Sequence, residues 1–116
     1  IPKVTKDTSI KDVIIEITSK RLGATCVLDE NGKLAGIITD GDLRRLLEIT
    51  LDITGLKASD VMTTKPKVLK ADYLASFALQ QMENFKITSL VIVDDQNIPA
   101  GIIHLHDLIN LGLQSR

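Results

Sequence analysis

Two stretches of the chain place chemistry-bearing residues at the same spacing. "GIITDGDLRR" (36–45) carries Thr39, Gly41 and Asp42, and "GIIHLHDLIN" (101–110) carries His104, His106 and Asp107. A strand-like Gly-Ile-Ile leads into each, and each Asp stands where a helix is expected to begin. A helix start leaves N–H groups unpaired and so attracts an anion, and flexible backbone around Gly41 would let one approach. Thr39, at the end of the strand, has a hydroxyl to donate to a phosphate oxygen. A plainer use competes: Asp42 caps the helix, worth about 0.5–2 kcal/mol over alanine, with Thr39 an ordinary strand residue. The two uses are compatible. Arg44 and Arg45 follow in the first helical turn, where a cation opposes the helix dipole unless an anion is near, and solvated surface is the expected use of at least one.

Residues two apart on an extended strand point to the same side, so the imidazoles of His104 and His106 can converge. Three uses stay open for them. They contact a phosphate or carboxylate, more strongly when an imidazole is protonated. They bind a divalent metal with Asp107, which needs a further ligand from elsewhere. Or their ring N–H groups satisfy backbone carbonyls. Thr88 and Ser89, just before an expected strand, either line a cleft or cap the preceding helix. Asp40 and Asp42 lack the context of a phosphatase motif and read as turn carboxylates; Cys26 reads as core, and Lys65 and Lys67 as solvated charges. The chain carries no Ser/His/Asp or Cys/His set at nucleophilic spacing and no Gly-rich phosphate loop, so no catalytic residue is assigned.

These residues sit in a repeat. Placing Gly36 on Gly101 sets an offset of 65 and brings eight identical pairs into line between Asp7 and Leu43 without a gap. Ile10, Val13, Ile14 and Ile17 form a helical stripe, and the matching positions Ala75, Ala78, Leu79 and Met82 are apolar too. Each half reads as β-α-β-β-α, an α/β (α+β) fold class. The first has a strand near Val4, a helix from Ile10 started by Ser9 with Asp12 and stopped at Gly23, strands at 25–28 and 34–39, and a helix from about Asp42. Leu43, Leu46 and Leu47 are its expected buried stripe. Asn31-Gly32 suits the hairpin turn, both residues tolerating positive φ. The second half repeats this as strands at Val68–Leu69, 90–93 and 98–104 and a helix from Asp107. Residues 51–56 read as a loop and 59–62 as a helical turn. Motif 1 is placed at residues 1–56 and motif 2 at 57–116, packed with a pseudo-twofold axis because neither half alone buries much surface.

Hydrophobic residues are 44% of the 116 but aromatics only 3%, so the core must be aliphatic. A net charge of −1 argues against nucleic acid or an anionic membrane as partner. The single cysteine excludes an internal disulfide and a thiolate metal cluster, and fits a reducing, cytoplasmic compartment. No apolar run approaches a spanning helix.

The repeat of Gly-Ile-Ile-Thr followed by Asp-Leu resembles the cystathionine-β-synthase (CBS) domain in its tandem form, with "DVMT" at 60–63 similar to the lead-in of a second motif. The matching lead-in to the first motif is expected before Ile1. "TDGDLRR" and "HLHDL" together resemble the CBS pair of the arabinose 5-phosphate isomerases, whose catalytic work belongs to an N-terminal sugar-isomerase (SIS) domain. The resemblance implies a module without isomerase activity of its own. It also implies a nucleotide-type effector, with Thr39 on phosphate and Asp42 on ribose hydroxyls, and a homodimer of CBS pairs. No cofactor is required; CMP-Kdo would be a sensible feedback ligand. His104 stands in the threonine position of the family motif and His106 in the glycine position, so Ser89, His104, His106 and Asp107 define a second half-site that departs from it.

Overall fold

The structure, a computed structural model, describes residues 1–20, 23–70, 80, 82–84 and 89–104. Ala75, Ala78 and Leu79 of the second helical stripe, Thr88, and the helix expected from Asp107 lie outside them. The chain divides into two compact units, Ile1–Pro66 and Lys67–Arg116.

The first unit runs β1 (Lys3–Thr5), α1 (Ile10–Lys20), β2 (Ala24–Leu28), β3 (Leu34–Thr39), α2 (Asp40–Ile49), α3 (Ala58–Val61) and β4 (Thr63–Thr64). Its sheet has the order β1-β2-β3-β4, with β1 parallel to β2 and the later pairs antiparallel. The apolar stripe of α1 drives the packing: Ile10, Val13 and Ile17 are buried against Val27 and Ile38 of the sheet, Leu43 of α2 and Ala58 of α3. Ser9 Oγ accepts from the Asp12 N–H at 3.3 Å, the forward half of the expected capping box. Gly23 beyond α1 has φ +71°, the left-handed backbone that glycine adopts without a Cβ penalty.

The expected "DVMT" lead-in is built into this unit. Thr63 and Thr64 pair with Ile37 and Gly36 of β3. The close approach requires Gly36: a Cβ there would lie 2.7 Å from Met62 Sδ and 2.8 Å from the Thr63 carbonyl oxygen. The loop before it is tied down as well, since the Ile10 N–H donates to Leu56 O at 3.0 Å and the Ala58 N–H to Thr8 O at 2.8 Å.

The second unit contains β5 (Val68–Lys70), β6 (Ser89–Val93) and β7 (Pro99–His104), in that sheet order. Residue 80 and residues 82–84 are helical, with Met82 fully buried. Every cross-strand pair here is a first-unit pair displaced by the repeat offset. Lys3↔Cys26 becomes Val68↔Val91, Ala24↔Thr39 becomes Ser89↔His104, and the register shift at Val27/Leu28 recurs at Ile92/Val93.

The turns repeat too, and they correct the expectation for Asn31-Gly32. Only Gly32 has positive φ, at +78°. The hairpin closes with a three-residue loop: the Gly32 N–H donates to Asp29 O, and Asp29 Oδ1 accepts from the Asn31 N–H at 2.8 Å and the Lys33 N–H at 3.0 Å. A type I turn followed by one left-handed residue needs the glycine alone, not the Asn-Gly pair. In the second unit Asp94 accepts from Gln96 and Ile98 in the same way, and Asn97 takes the left-handed place at φ 64°. A second correction concerns α2. Leu43 is buried and Leu46 packs on the core, but Leu47 is 48% exposed. The helix presents only a narrow stripe to the sheet.

Candidate functional site

Thr39, Gly41 and Asp42 come together where β3 hands over to α2. The helix starts at Asp40, two residues earlier than expected, because Thr39 is the N-cap, with extended backbone at φ −110° and ψ 166°. Its Oγ1 accepts from the Asp42 N–H at 3.2 Å, while Asp42 Oδ2 accepts from the Thr39 N–H at 2.9 Å. This reciprocal capping box satisfies two donors that a helix start otherwise leaves unpaired. Asp42 is therefore the third helical residue rather than the cap, and the ordinary-strand reading of Thr39 gives way to capping. A hydroxyl that accepts at its oxygen still carries its own proton to donate.

Asp42 Oδ1 holds a further partner. Arg45 donates an Nη2 hydrogen to it at 2.6 Å, with the carboxylate side chain 13% exposed and the guanidinium 67% exposed. One turn of helix separates the two, the spacing at which such pairs meet. Gly41 is helical and its φ is not left-handed, so flexibility is not its contribution. It contributes space: a Cβ there would lie 3.3 Å from Arg45 Nη1 and 3.6 Å from Thr39 Oγ1. The guanidinium and the threonine hydroxyl thus flank the same side-chain-free position. Sequence reasoning assigned at least one of the two arginines to solvent; the Asp-x-x-Arg spacing was the signal for this pair.

In the second unit His104 ends β7 and lies directly opposite Ser89, the first residue of β6. His104 is half-buried; Ser89 is 8% exposed and its Oγ has no hydrogen-bond partner among the described residues. The same two places in the first unit hold Ala24, fully buried, and the capping Thr39. His106 and Asp107 lie outside the described residues. Among the described residues no three His, Cys, Asp or Glu side chains gather as metal ligands. Cys26, buried on β2, has its thiol pushed up to about 11 by burial. It is a core residue and far from a nucleophile at neutral pH.

A family model of the CBS domain matches residues 1–49 and again 58–113. The chain belongs to the CBS-domain family. Among curated proteins, this CBS pair is 46% identical over 113 residues to the arabinose 5-phosphate isomerase KdsD of Pseudomonas aeruginosa, covering 97% of this chain and 35% of the relative. It is 39% identical to KdsD of Escherichia coli K12, covering 97% of this chain and 34% of that one. The chain thus spans about a third of the length of the curated relatives it matches. Solved structures agree on the fold. A CBS domain protein from Pyrobaculum aerophilum, complexed with AMP, superposes with a TM-score of 0.83 at 18% identity, over 90% of this chain and 80% of that one. The CBS domain pair of protein MJ0100, in complex with 5′-methylthioadenosine and S-adenosyl-L-methionine, gives 0.83 at 24% identity, over 96% and 92%. No helix among the described residues is long and apolar enough to cross a membrane.

Proposed function

We propose that this CBS pair is the regulatory ligand-binding module of an arabinose 5-phosphate isomerase. It senses a nucleotide or nucleotide-sugar and biases an SIS domain that interconverts D-ribulose 5-phosphate and D-arabinose 5-phosphate in the cytoplasm. The two sequence motifs, 1–56 and 57–116, each supply one half-site: Thr39, Gly41 and Asp42 in the first, and Ser89, His104, His106 and Asp107 in the second. The observation that carries the reading is the cluster at the start of α2. A threonine hydroxyl and an exposed guanidinium flank the Cβ-free Gly41, which suits a phosphate, and the Asp42 carboxylate suits hydroxyls of a ribose. The adenosine compounds held by two structural neighbours, and the KdsD likeness over nearly the whole chain, support the ligand class and the host enzyme. CMP-Kdo is the effector this reading favours, as a nucleotide-sugar downstream of the isomerase in lipopolysaccharide assembly. Such a ligand regulates only by binding two states of the enzyme with different affinity.

Calorimetric titration of the chain with AMP, ATP, CMP and CMP-Kdo tests this. A saturable isotherm for one of them, weakened by Asp42→Asn, is the expected result; no heat with any of the four overturns it. One observation favours a second reading, in which the module organises a homodimer without a ligand. Leu47, Ile49 and Leu51, along and just past α2, are 48%, 85% and 88% exposed. Sedimentation of Ile49→Lys beside the unaltered chain separates the two, since a dimer built on this patch dissociates.

A further inference from the structure

The two sheets finish differently at their third strand. β3 is covered along its outer edge by β4, Thr63 and Thr64 pairing with Ile37 and Gly36, whereas β7 is the last strand of its sheet and among the described residues pairs only with β6. The remaining edge strands are protected in the ways edges usually are: β1, β4 and β5 are two or three residues long, and Lys3 and Lys70 put charge on β1 and β5. β7 is six residues long, and from Ala100 to Ile103 it carries neither charge nor proline. Burial differs in the same sense. Gly36, Ile37 and Ile38 are buried, but Gly101, Ile102 and Ile103 are only half-buried. Gly101 adds an independent observation. In β3 the glycine is required, because the Thr63 carbonyl and the Met62 sulfur lie where a Cβ would stand. Gly101 has no left-handed φ to explain it, and no atom of the described residues lies within 4 Å of a Cβ built there. A glycine inside a strand weakens it and often marks a place where another backbone passes close.

We infer that the outer edge of β7 is the docking place of the segment that runs into Ile1 in the full-length protein, which adds a fourth strand antiparallel to Gly101 and Ile102. The repeat names the segment. At the offset of 65, Pro66 stands at the place of Ile1, so Thr64 and Thr63 stand two and three places ahead of it. Their counterparts in the segment are therefore the residues that would cover Gly101 and Ile102, as Thr64 and Thr63 cover Gly36 and Ile37. The curated relatives, of which this chain spans about a third, have the length for such a segment. An incoming strand binds an edge through main-chain hydrogen bonds, so it needs an extended stretch and small groups over Gly101 rather than a particular side-chain set. Where the reading above holds, this ties the link toward the catalytic domain to the strand that ends at His104; the docking itself does not depend on that reading.

The test compares this chain with one lengthened by a strand's worth of its natural residues ahead of Ile1. Amide exchange is read first. The outward-facing amide of the Gly101–Ile102 pair should exchange about tenfold or more slower in the longer chain, while the amides of Gly36 and Ile37, already covered by β4, should not change. No slowing at β7 overturns the inference. Gly101→Ala is the second arm. In the present chain it should leave Tm within about 2 °C, and in the longer one it should lower Tm by several degrees, because the methyl group meets the added strand. Equal shifts at both lengths overturn the docking, and where the longer variant does not fold the exchange comparison decides alone. Sedimentation checks the rival occupant. Slowed exchange that appears in the present chain on raising its concentration, together with a dimer, assigns the edge to a second copy and overturns the inference. Isomerase activity of the full-length protein tests the host reading separately: its absence removes that reading and leaves the exchange result as it stands.

Discussion

At the end of β3 and at the end of β7 one register holds two different sets of side chains. In the first unit Ala24 faces Thr39, and Thr39 closes a box with Asp42, so the polar groups there are mutually satisfied before any ligand arrives. In the second, Ser89 faces His104 and the serine hydroxyl has no partner among the described residues. The outer face of the strands differs too. Gly36 is covered by Met62 and Thr63, whereas no atom of the described residues lies within 4 Å of a Cβ built at Gly101. A repeat that preserves the pairing of its first three strands has kept its frame and varied what the frame presents.

The largest expected effect concerns those two glycines. Gly36→Ala should cost about 1–3 kcal/mol, because the new methyl group meets a backbone carbonyl as well as the movable methionine sulfur. Gly101→Ala should fall within about 0.5 kcal/mol of the unaltered chain or slightly above it, since the unfolded chain loses freedom and no described residue meets the new methyl group. Urea unfolding of the two variants measures the difference; equal costs would mean that the covered and open faces are alike.

Next comes the cap. Thr39→Ala should lose about 0.5–2 kcal/mol and speed amide exchange in the first turn of α2, while Thr39→Ser recovers most of it. An unchanged exchange pattern would dissolve the contrast between a satisfied first half and an unsatisfied second.

The turns sharpen the comparison at a smaller scale. Gly32→Ala should cost about 1 kcal/mol for a Cβ placed in left-handed backbone. Thermal melts check this, and an unchanged Tm in Gly32→Ala would show that the left-handed place carries no such penalty.

At neutral pH the smallest effect belongs to Cys26, opposite Ile37 on the sheet where the second unit has Val91 opposite Ile102. Its thiol is raised from about 9 to about 11 by burial. Between those values the unfolded chain has released the proton and the folded chain has kept it, so stability falls as pH rises from about 9 to about 11. Cys26→Val, which copies the second unit, should remove that slope in alkaline melts; a slope that persists assigns it elsewhere.

Much of the frame was legible because periodicity is a property of residue types in order. The stripe from Ile10 to Ile17 and the offset of 65 that aligns the two Gly-Ile-Ile runs required nothing beyond residue types and spacing. Geometry settled by one or two residues was not legible. Whether Thr39 or Asp42 is the cap turns on which residue keeps extended backbone, and both types cap well. Leu47 has the spacing of a buried stripe but lies on a helix that offers the sheet only a narrow one. The pairing of β4 was hidden because two threonines are too short to show any period. The Arg45 contact was obscured because a cation in a first turn is unfavourable until its carboxylate partner is counted.

The aspartate-closed turns have a consequence for how the chain reaches its fold. Asp29 and Asp94 each gather two backbone N–H groups around a loop of three residues, so each half owns a hairpin whose closure involves no distant part of the sequence. Hairpins of this kind form in roughly 1–10 μs. The parallel strands β1 and β5 must instead be brought in across a helical crossover, with a far larger loop to close. Each unit therefore carries its own early-forming seed, and the slow step in each is the arrival of its first strand.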